Sequence, residues 1–599
     1  MYFKIIILTA IVFAAQAGFS QPSLEKYDVT TVLKEKFTDK SGAPLTGKGV
    51  LIGDVDSGID VFHPMFFFAD GGEFQWTDVN GDNHLTVGTD GIDLNQNGKI
   101  DPDEIIRYIE IKDETYGMLG SLGSDPRNYN PDFDFLYIDA NSNKRRDFGP
   151  DAGFDEKTPG YGEQLLIAID ENKNGAVEPG EKLIALKTSK IRSVMQRDGV
   201  VRRRGVDLIY TEEDSIGHGT SVAGLIIGGH YGVQKIHGIA PDAEMVFASV
   251  RYDYTPRFVR NFPDLVGFLR DEKINILLFE DGEWMWEFMD GSSPEEEMVN
   301  QLARDGVTII GGAGNFTTSN MLIKDTLNAN DYAVYKVSAP QFSEGRLNDG
   351  IFFSFLWRHP ETNLSFVIET PDKKKTDFQA EGNGIVKAGH YNIYYAKEVS
   401  PKGTAIVKIS CSKQDSGSLT GTWRITVKSS GYALIHAYVV DISQSWAGNT
   451  RWVDSPNITD ESNVCFPSTA DSCIAVGAYV VNFAWFDVMG GLASYSSKGY
   501  NITGKLGVDI TAPGHTTFTT QKKLGYETFN GTSSAAPHVV GAAALLLQYD
   551  PGLTHTQIRQ ILLNSAVQDN FTGGVPNPDW GYGKLDIEGA IKYLINNVN

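Results

Sequence analysis

Three short segments carry residue types able to do nucleophilic chemistry. In "GVLIGDVDSGID" a short apolar strand runs into Asp56-Ser57-Gly58, and in "DSIGHGTSVAGLIIGG" His218 stands between two glycines at the head of a small-residue helix. In "FNGTSSAAPHVVGAAALLLQYDP" Ser533 heads a second helix, rich in Ala, Val and Leu and therefore expected to be buried. Each segment has an ordinary reading by itself, because Asp before Gly makes turns and a lone histidine is often structural. Together they supply an acid, a base and a nucleophile in the order Asp, His, Ser. A helix start at Ser533 adds unpaired backbone N–H groups where negative charge would develop.

That order, with the residues around it, resembles the subtilisin-like serine peptidases, the subtilases. The matching residues are Asp56-Ser-Gly, His218-Gly-Thr-Ser-Val-Ala-Gly and Gly531-Thr-Ser533 continuing through Ala-Pro-His-Val. "VDITAPG", "YSSKG" and "WGYGKLDIEGAI" resemble the family's later strand, loop and terminal helix, which extends the expected catalytic fold almost to Asn599. The resemblance implies an α/β fold on a parallel sheet and a triad in which Ser533 attacks, His218 takes its proton and Asp56 orients the imidazole. Asp54 and Asp60 lie close by but fall outside the Asp-Ser-Gly pattern, and are read as structural. Asn315, at the end of "GVTIIGGAGNF", is implied as the side-chain donor to the oxyanion, joined by the backbone N–H of Ser533.

The resemblance also implies a pocket for the residue before the cut. Gly312, Ala313 and Gly314 match one of its walls. At the other wall, where the family usually has a Ser-Leu-Gly type segment, this chain reads Glu280, Asp281 and Gly282, followed by Trp284 and Trp286. Two carboxylates beside a partly dehydrated cleft favour a Lys or Arg side chain on the substrate. The competing reading turns both carboxylates to solvent or to a cation.

The chain is longer than such a core, and the surplus falls in two insertions. Between Asp56 and His218, "DLNQNGKIDPDE" places Asp93, Asn95, Asn97, Asp101 and Glu104 at calcium-loop positions one, three, five, nine and twelve, with Gly98 at six and the Lys99 carbonyl at seven. "DENKNGAVEPGE" repeats the pattern with Asp170, Asn172, Asn174, Gly175, Ala176, Glu178 and Glu181. Asp78, Asn80 and Asp82 form a partial match, and so do Asp139, Asn141, Asn143 and Asp147; both lack the glycine. The flanking "QLLIAI" and "KLIALK" read as strands and not as paired helices, so the expected calcium ions are structural staples and not sensors. Between Asn315 and about residue 463, seven or eight alternating segments predict an antiparallel sandwich, similar to the jelly-roll that some subtilases carry before the catalytic serine.

The expected organisation is a signal peptide over 1–20, the catalytic domain over 21–320 with the calcium-loop insertion at about 74–185, the sandwich over 321–447, and the rest of the catalytic domain over 448–599. Lys4, the apolar run from Ile5 to Ala15 and Ala15-Gln-Ala17 have the pattern of an export signal, giving a secreted or periplasmic protein with no membrane span. The segment from Gln21 to Gly49 is short for a folding prodomain. A formal charge of -24 disfavours nucleic acid and anionic membranes, and polypeptide substrates are what the subtilase resemblance implies. Of three cysteines, Cys465 and Cys473 flank a short loop where a disulfide is expected, leaving Cys411 unpaired; three buried free thiols are the alternative. The expected function is a calcium-stabilised serine endopeptidase, the alternative a calcium-dependent binding or adhesion protein on a peptidase scaffold.

Overall fold

A computed structural model describes residues 37–109, 112–113, 129–250, 261–282, 285–443, 449–482 and 487–597. The export signal and Trp284 lie outside the described residues. Eight strands form the central sheet: β1 (Leu51–Asp56), β2 (Ile191–Met195), β3 (Val201–Arg203), β4 (Glu244–Ser249), β5 (Ile276–Phe279), β6 (Thr308–Gly312), β7 (Ile474–Val480) and β8 (Ile510–His515). Their spatial order is β8-β7-β6-β5-β1-β4-β2-β3, parallel except for the β2–β3 hairpin. All residues of β1, β5 and β7 are buried, as expected of parallel strands covered on both faces.

One face is covered by α1 (His218–Ile227) and the long α2 (Thr532–Tyr549), whose Ala and Gly residues let it lie close to its neighbours. At Gly541 a Cβ would stand 2.4 Å from that of Ile239, so even alanine is excluded there. The other face packs against helices Phe262–Glu272 and Pro294–Arg304, in a separate apolar cluster with Leu265, Leu269, Val299 and Leu302.

In the first insertion, Leu165–Ala168 and Leu183–Leu186 are strands of a five-stranded antiparallel sheet, which also contains Glu73–Phe74, Ile106–Ile109 and Phe135–Ile138. Downstream of Asn315 lie a six-stranded and a five-stranded antiparallel sheet, spanning Leu322–Leu327 to Arg451–Val453. Their inner faces share one core, in which Phe355 of one sheet meets Phe366 of the other edge to face at 5.0 Å, with Trp357, Trp423 and Trp452 fully buried. This pair of sheets is tied to the segment before helix Pro294–Arg304 through buried Asp290, which accepts hydrogen bonds from Ser400 Oγ and Thr404 Oγ1, each at 2.6 Å.

The disulfide reading is overturned. All three cysteines are free and buried. Cys465 turns toward the Ala313 carbonyl and the sandwich core, whereas Cys473 packs in the cluster beneath helices Phe262–Glu272 and Pro294–Arg304. The two sulfurs therefore serve different cores.

Candidate active site

The parallel topology brings the sequence-predicted residues together at the carboxyl ends of β1, β5 and β6 and the amino ends of α1 and α2. Asp56 ends β1 and is 1% exposed. His218 opens α1, and its Nδ1 lies 2.8 and 2.7 Å from the two Asp56 oxygens. With Nδ1 donating to the carboxylate, Nε2 is left as a proton acceptor. Phe529 covers the imidazole edge to face at 5.3 Å. Gly219, next to His218, has no room for a side chain, since a Cβ would collide with the Gly58 carbonyl and the Phe247 ring.

Ser533 is the second residue of α2 and half-buried. Gly531 before it takes φ +131, a conformation that favours glycine, and so turns the chain sharply into the helix. Asn315 follows β6, and its Oδ1 accepts from the Thr532 backbone N–H at 2.8 Å and from its hydroxyl at 3.2 Å. That grip directs the other end of the amide, the Nδ2 donor, across Gly531 toward the start of the helix. Gly312 and Gly314 pack against the same threonine: a Cβ on Gly312 would come within 2.9 Å of Thr532 Oγ1, and Gly314 N–H donates to that oxygen at 3.1 Å. Ala313 is fully buried between them.

Burial pushes the His218 imidazole down, but Asp56, through its charge and its hydrogen bond, with Glu280 and Asp281 adding to it, more than offsets this and raises it to about 9. Glu280 follows β5 and is held to β1 by its backbone N–H donating to Val55 O at 3.1 Å. Both its carboxyl oxygens are covered from solvent without a well-formed hydrogen bond, with His218, Asp56 and Ser533 among the groups that act on the carboxyl. Asp54, one pleat behind Asp56, is fully buried, and neither carboxyl oxygen has a well-formed partner. Burial pushes its carboxyl well up, with Asp56, Glu280 and Asp281 pushing the same way against a weak opposing contribution from the Val55 N–H. The sequence shows Asp54 as one more acid near Asp56; its partnerless burial becomes visible only with the sheet assembled. Trp286 packs edge to face on Phe352 of the sandwich at 6.2 Å, and its backbone N–H donates to Ser354 Oγ at 3.0 Å.

A sequence model of the subtilase family, Peptidase_S8, matches residues 47–258 and 369–583. The chain belongs to the subtilase family. Curated relatives include alkaline elastase YaB of Bacillus sp. (strain YaB), 33% identical over 151 residues, which are 25% of this subtilase and 35% of that protein. Subtilisin DY of Bacillus licheniformis is 34% identical over 146 residues, 24% of this chain and 44% of that one. Subtilisin BL of Lederbergia lenta is 38% identical over 131 residues, or 22% and 42%. The subtilase thus spans less than half the length of these relatives. The solved CspB protease of Clostridium perfringens aligns over 92% of this chain and 96% of its own at 19% identity with a TM-score of 0.62, a likeness of fold. Residues 259–368, which include Glu280 and Asn315, lie outside the family match.

The four acidic loops of the first insertion share one arrangement. In each, a closing carboxylate accepts the backbone N–H groups of loop positions two and nine. Glu104 takes Leu94 and Asp101 at 2.9 and 3.1 Å, and Glu181 takes Glu171 and Glu178 at 2.8 and 2.8 Å. In the partial loops Asp90 takes Val79 and Thr86 at 2.9 and 2.6 Å, and Glu163 takes Ala140 and Asp147 at 2.9 and 2.9 Å. Sequence reading missed Asp90, one place beyond position twelve, and Glu163, which arrives from a different turn. Within the loops, side chains at positions three and five converge on that at nine: Asn95 and Asn97 on Asp101, Asn141 and Asn143 on Asp147, Asn172 and Asn174 on Glu178. In the first loop Asn80 Nδ2 reaches Asp82 at 2.9 Å. Among the described residues no three His, Cys, Asp or Glu side chains come together as a metal cluster.

Proposed function

We propose that this subtilase is a secreted serine endopeptidase that cleaves polypeptides through an acyl-enzyme on Ser533. The observation that carries the reading is the Asp56–His218 pair beside a serine at the start of a buried helix, with the Asn315 amide clamped alongside. Ser533 Oγ bonds to the peptide carbonyl carbon, its proton passes to His218 Nε2, and the carbonyl electron pair moves onto oxygen. The Ser533 backbone N–H and Asn315 Nδ2 stabilise that oxyanion. His218 then protonates the leaving amine as the carbonyl reforms, and water reverses the sequence to free the acid. The Lys4-led apolar run supports export, and among the described residues no helix is long and apolar enough to cross a membrane.

Calcium belongs to the proposal as a structural ion. Asp93, Asn95, Asn97, Asp101 and Glu104, with Asp170, Asn172, Asn174, Glu178 and Glu181, would hold it, because the asparagine side chains of each loop gather around the carboxylate at position nine. It would neutralise exposed carboxylates between the strands of the insertion. The Glu280–Gly282 and Gly312–Gly314 segments are proposed as the walls for the residue before the cut, with Asp281 favouring Lys or Arg there. Residues 321–447 are proposed as an inserted domain that braces the catalytic sheet.

A fluorophosphonate probe tests the reading. We expect covalent labelling of the wild-type protein at Ser533 and none of Ser533→Ala, with peptide hydrolysis lost on the scale of about a million-fold known for subtilisin. Equal hydrolysis by Ser533→Ala would overturn it.

A further inference from the structure

The Asp56–His218–Ser533 chemistry has no task for Glu280, yet this carboxyl is placed against the nucleophile. The parallel pairing of β1 and β5 runs through Val55 opposite Phe279, and the Glu280 N–H bond to Val55 O carries it one residue further, so Glu280 stands beside Asp56. Its oxygens are shielded from water without a well-formed hydrogen bond, and the Ser533 hydroxyl is among the groups that act on the carboxyl. The other ionisable groups facing it are Asp54 and Asp56 from β1, His218 from α1 and the adjacent Asp281.

We propose that Glu280 is a catalytic residue of this subtilase: protonated, it holds Ser533 ready for attack, and ionised, it stops attack. The proposal rests on the peptidase reading above. A serine hydroxyl has one hydrogen to give. A protonated Glu280 can donate to Ser533 Oγ and leave that hydrogen for His218 Nε2. An ionised Glu280 can only accept, so it draws the Ser533 hydrogen to itself and away from the base. It also places a negative charge beside a forming oxyanion in a site with little water to screen it.

The site's electrostatics agree with this role. Burial pushes the Glu280 carboxyl up to about 8 against the opposing pull of a charged His218, so its proton is retained at neutral pH. His218, raised to about 9, must lose its proton before it can act. The working form has one proton on Glu280 and none on His218 Nε2. It gains population as pH rises toward this pair of values and loses it above them, so the activity is a narrow bell with its maximum between about 8 and 9. A triad without Glu280 would rise to a plateau instead.

The test is the rate of fluorophosphonate labelling of the full chain from about pH 6 to about pH 10.5. In that reaction Oγ–P forms, P–F breaks, fluoride leaves and the serine proton passes to His218. For wild type we expect a maximum and then a fall of about tenfold per pH unit on the alkaline side. Glu280→Gln, a neutral isostere that keeps a donor, should lose the fall and move the acid limb to lower pH; Glu280→Ser should lose it too. A wild-type rate that stays level to about pH 10.5 overturns the proposal whether or not the variants fold, and so does an unchanged alkaline fall in a folded Glu280→Gln. Labelling at Ser533 with a level profile removes only the role of Glu280. Absence of labelling at every pH removes the peptidase reading itself, and this proposal with it.

Discussion

The carboxylates at the ends of β1 and β5 and those in the acidic loops are the same chemical groups in opposite situations. At the strand ends Asp54 and Glu280 are enclosed with no well-formed hydrogen bond, and burial pushes both carboxyls up. In the loops Asp82 is pulled down by the Thr86 hydroxyl and the His84 backbone N–H, and Asp101 by the amides of Asn95 and Asn97. What separates them is the supply of donors. A loop bends its own N–H groups toward its acids, while a parallel strand has committed its N–H groups to the neighbouring strands. Asp82 and Asp101 are therefore fit to stay charged and meet a cation, whereas burial pushes up the closing carboxyls of Asp90 and Glu163. Asp54 and Glu280 are fit to stay neutral.

Four experiments break or sharpen that contrast. The largest effect is expected at Asn315→Ala, which removes a donor aimed at developing charge. Its kcat should fall by about 100 to 1000-fold, the scale measured for such a donor in subtilisin, with KM little changed. A fall below about tenfold would remove Asn315 from the oxyanion site.

Next is the pH dependence of stability. Asp54 has a folded-state value above its unfolded one, so it costs stability as pH rises above the unfolded value of about 4, at up to about 1.4 kcal/mol per pH unit until its folded value is reached. Asp54→Asn should flatten the alkaline decline of the denaturation midpoint. Parallel declines in the two proteins would show that this carboxyl is not retained neutral.

Calcium should act on the other region. A tenfold excess over the dissociation constant adds roughly 1.4 kcal/mol per site. Melting of the metal-free protein should therefore rise on adding calcium, less so in Glu104→Gln and Glu181→Gln. Identical melting with calcium and with chelator would refute the loop reading.

The smallest effect is expected in substrate choice. Cleavage of a peptide library by Asp281→Asn should show a Lys/Arg preference reduced by about fivefold, on the order of 1 kcal/mol for one opposite charge. An unchanged preference would show that this carboxylate does not set it.

Much of the site is legible in the sequence, because its pieces are local. Asp56 at a strand end, His218 at a helix head and Ser533 at the start of an Ala-rich helix each sit in a contiguous stretch whose pattern dictates its element. The alternating segments of the sandwich, such as Gly421–Ser429, are strands for the same reason: one face must be apolar to be buried. The complete acidic loops are legible too, since spacing alone makes their turn. What depends on contact between distant segments is not. The separate cores of Cys465 and Cys473, the closing of a loop by Glu163, and the burial of Asp54 all follow from how strands pack. Glu280 is the sharpest case. Its residue type marks a departure from the family's usual small residue, but only the pairing of β5 with β1 decides that its carboxyl is enclosed beside Asp56. Charge and spacing are written along the chain, whereas access to water and to hydrogen-bond donors is settled by the neighbours that tertiary structure brings.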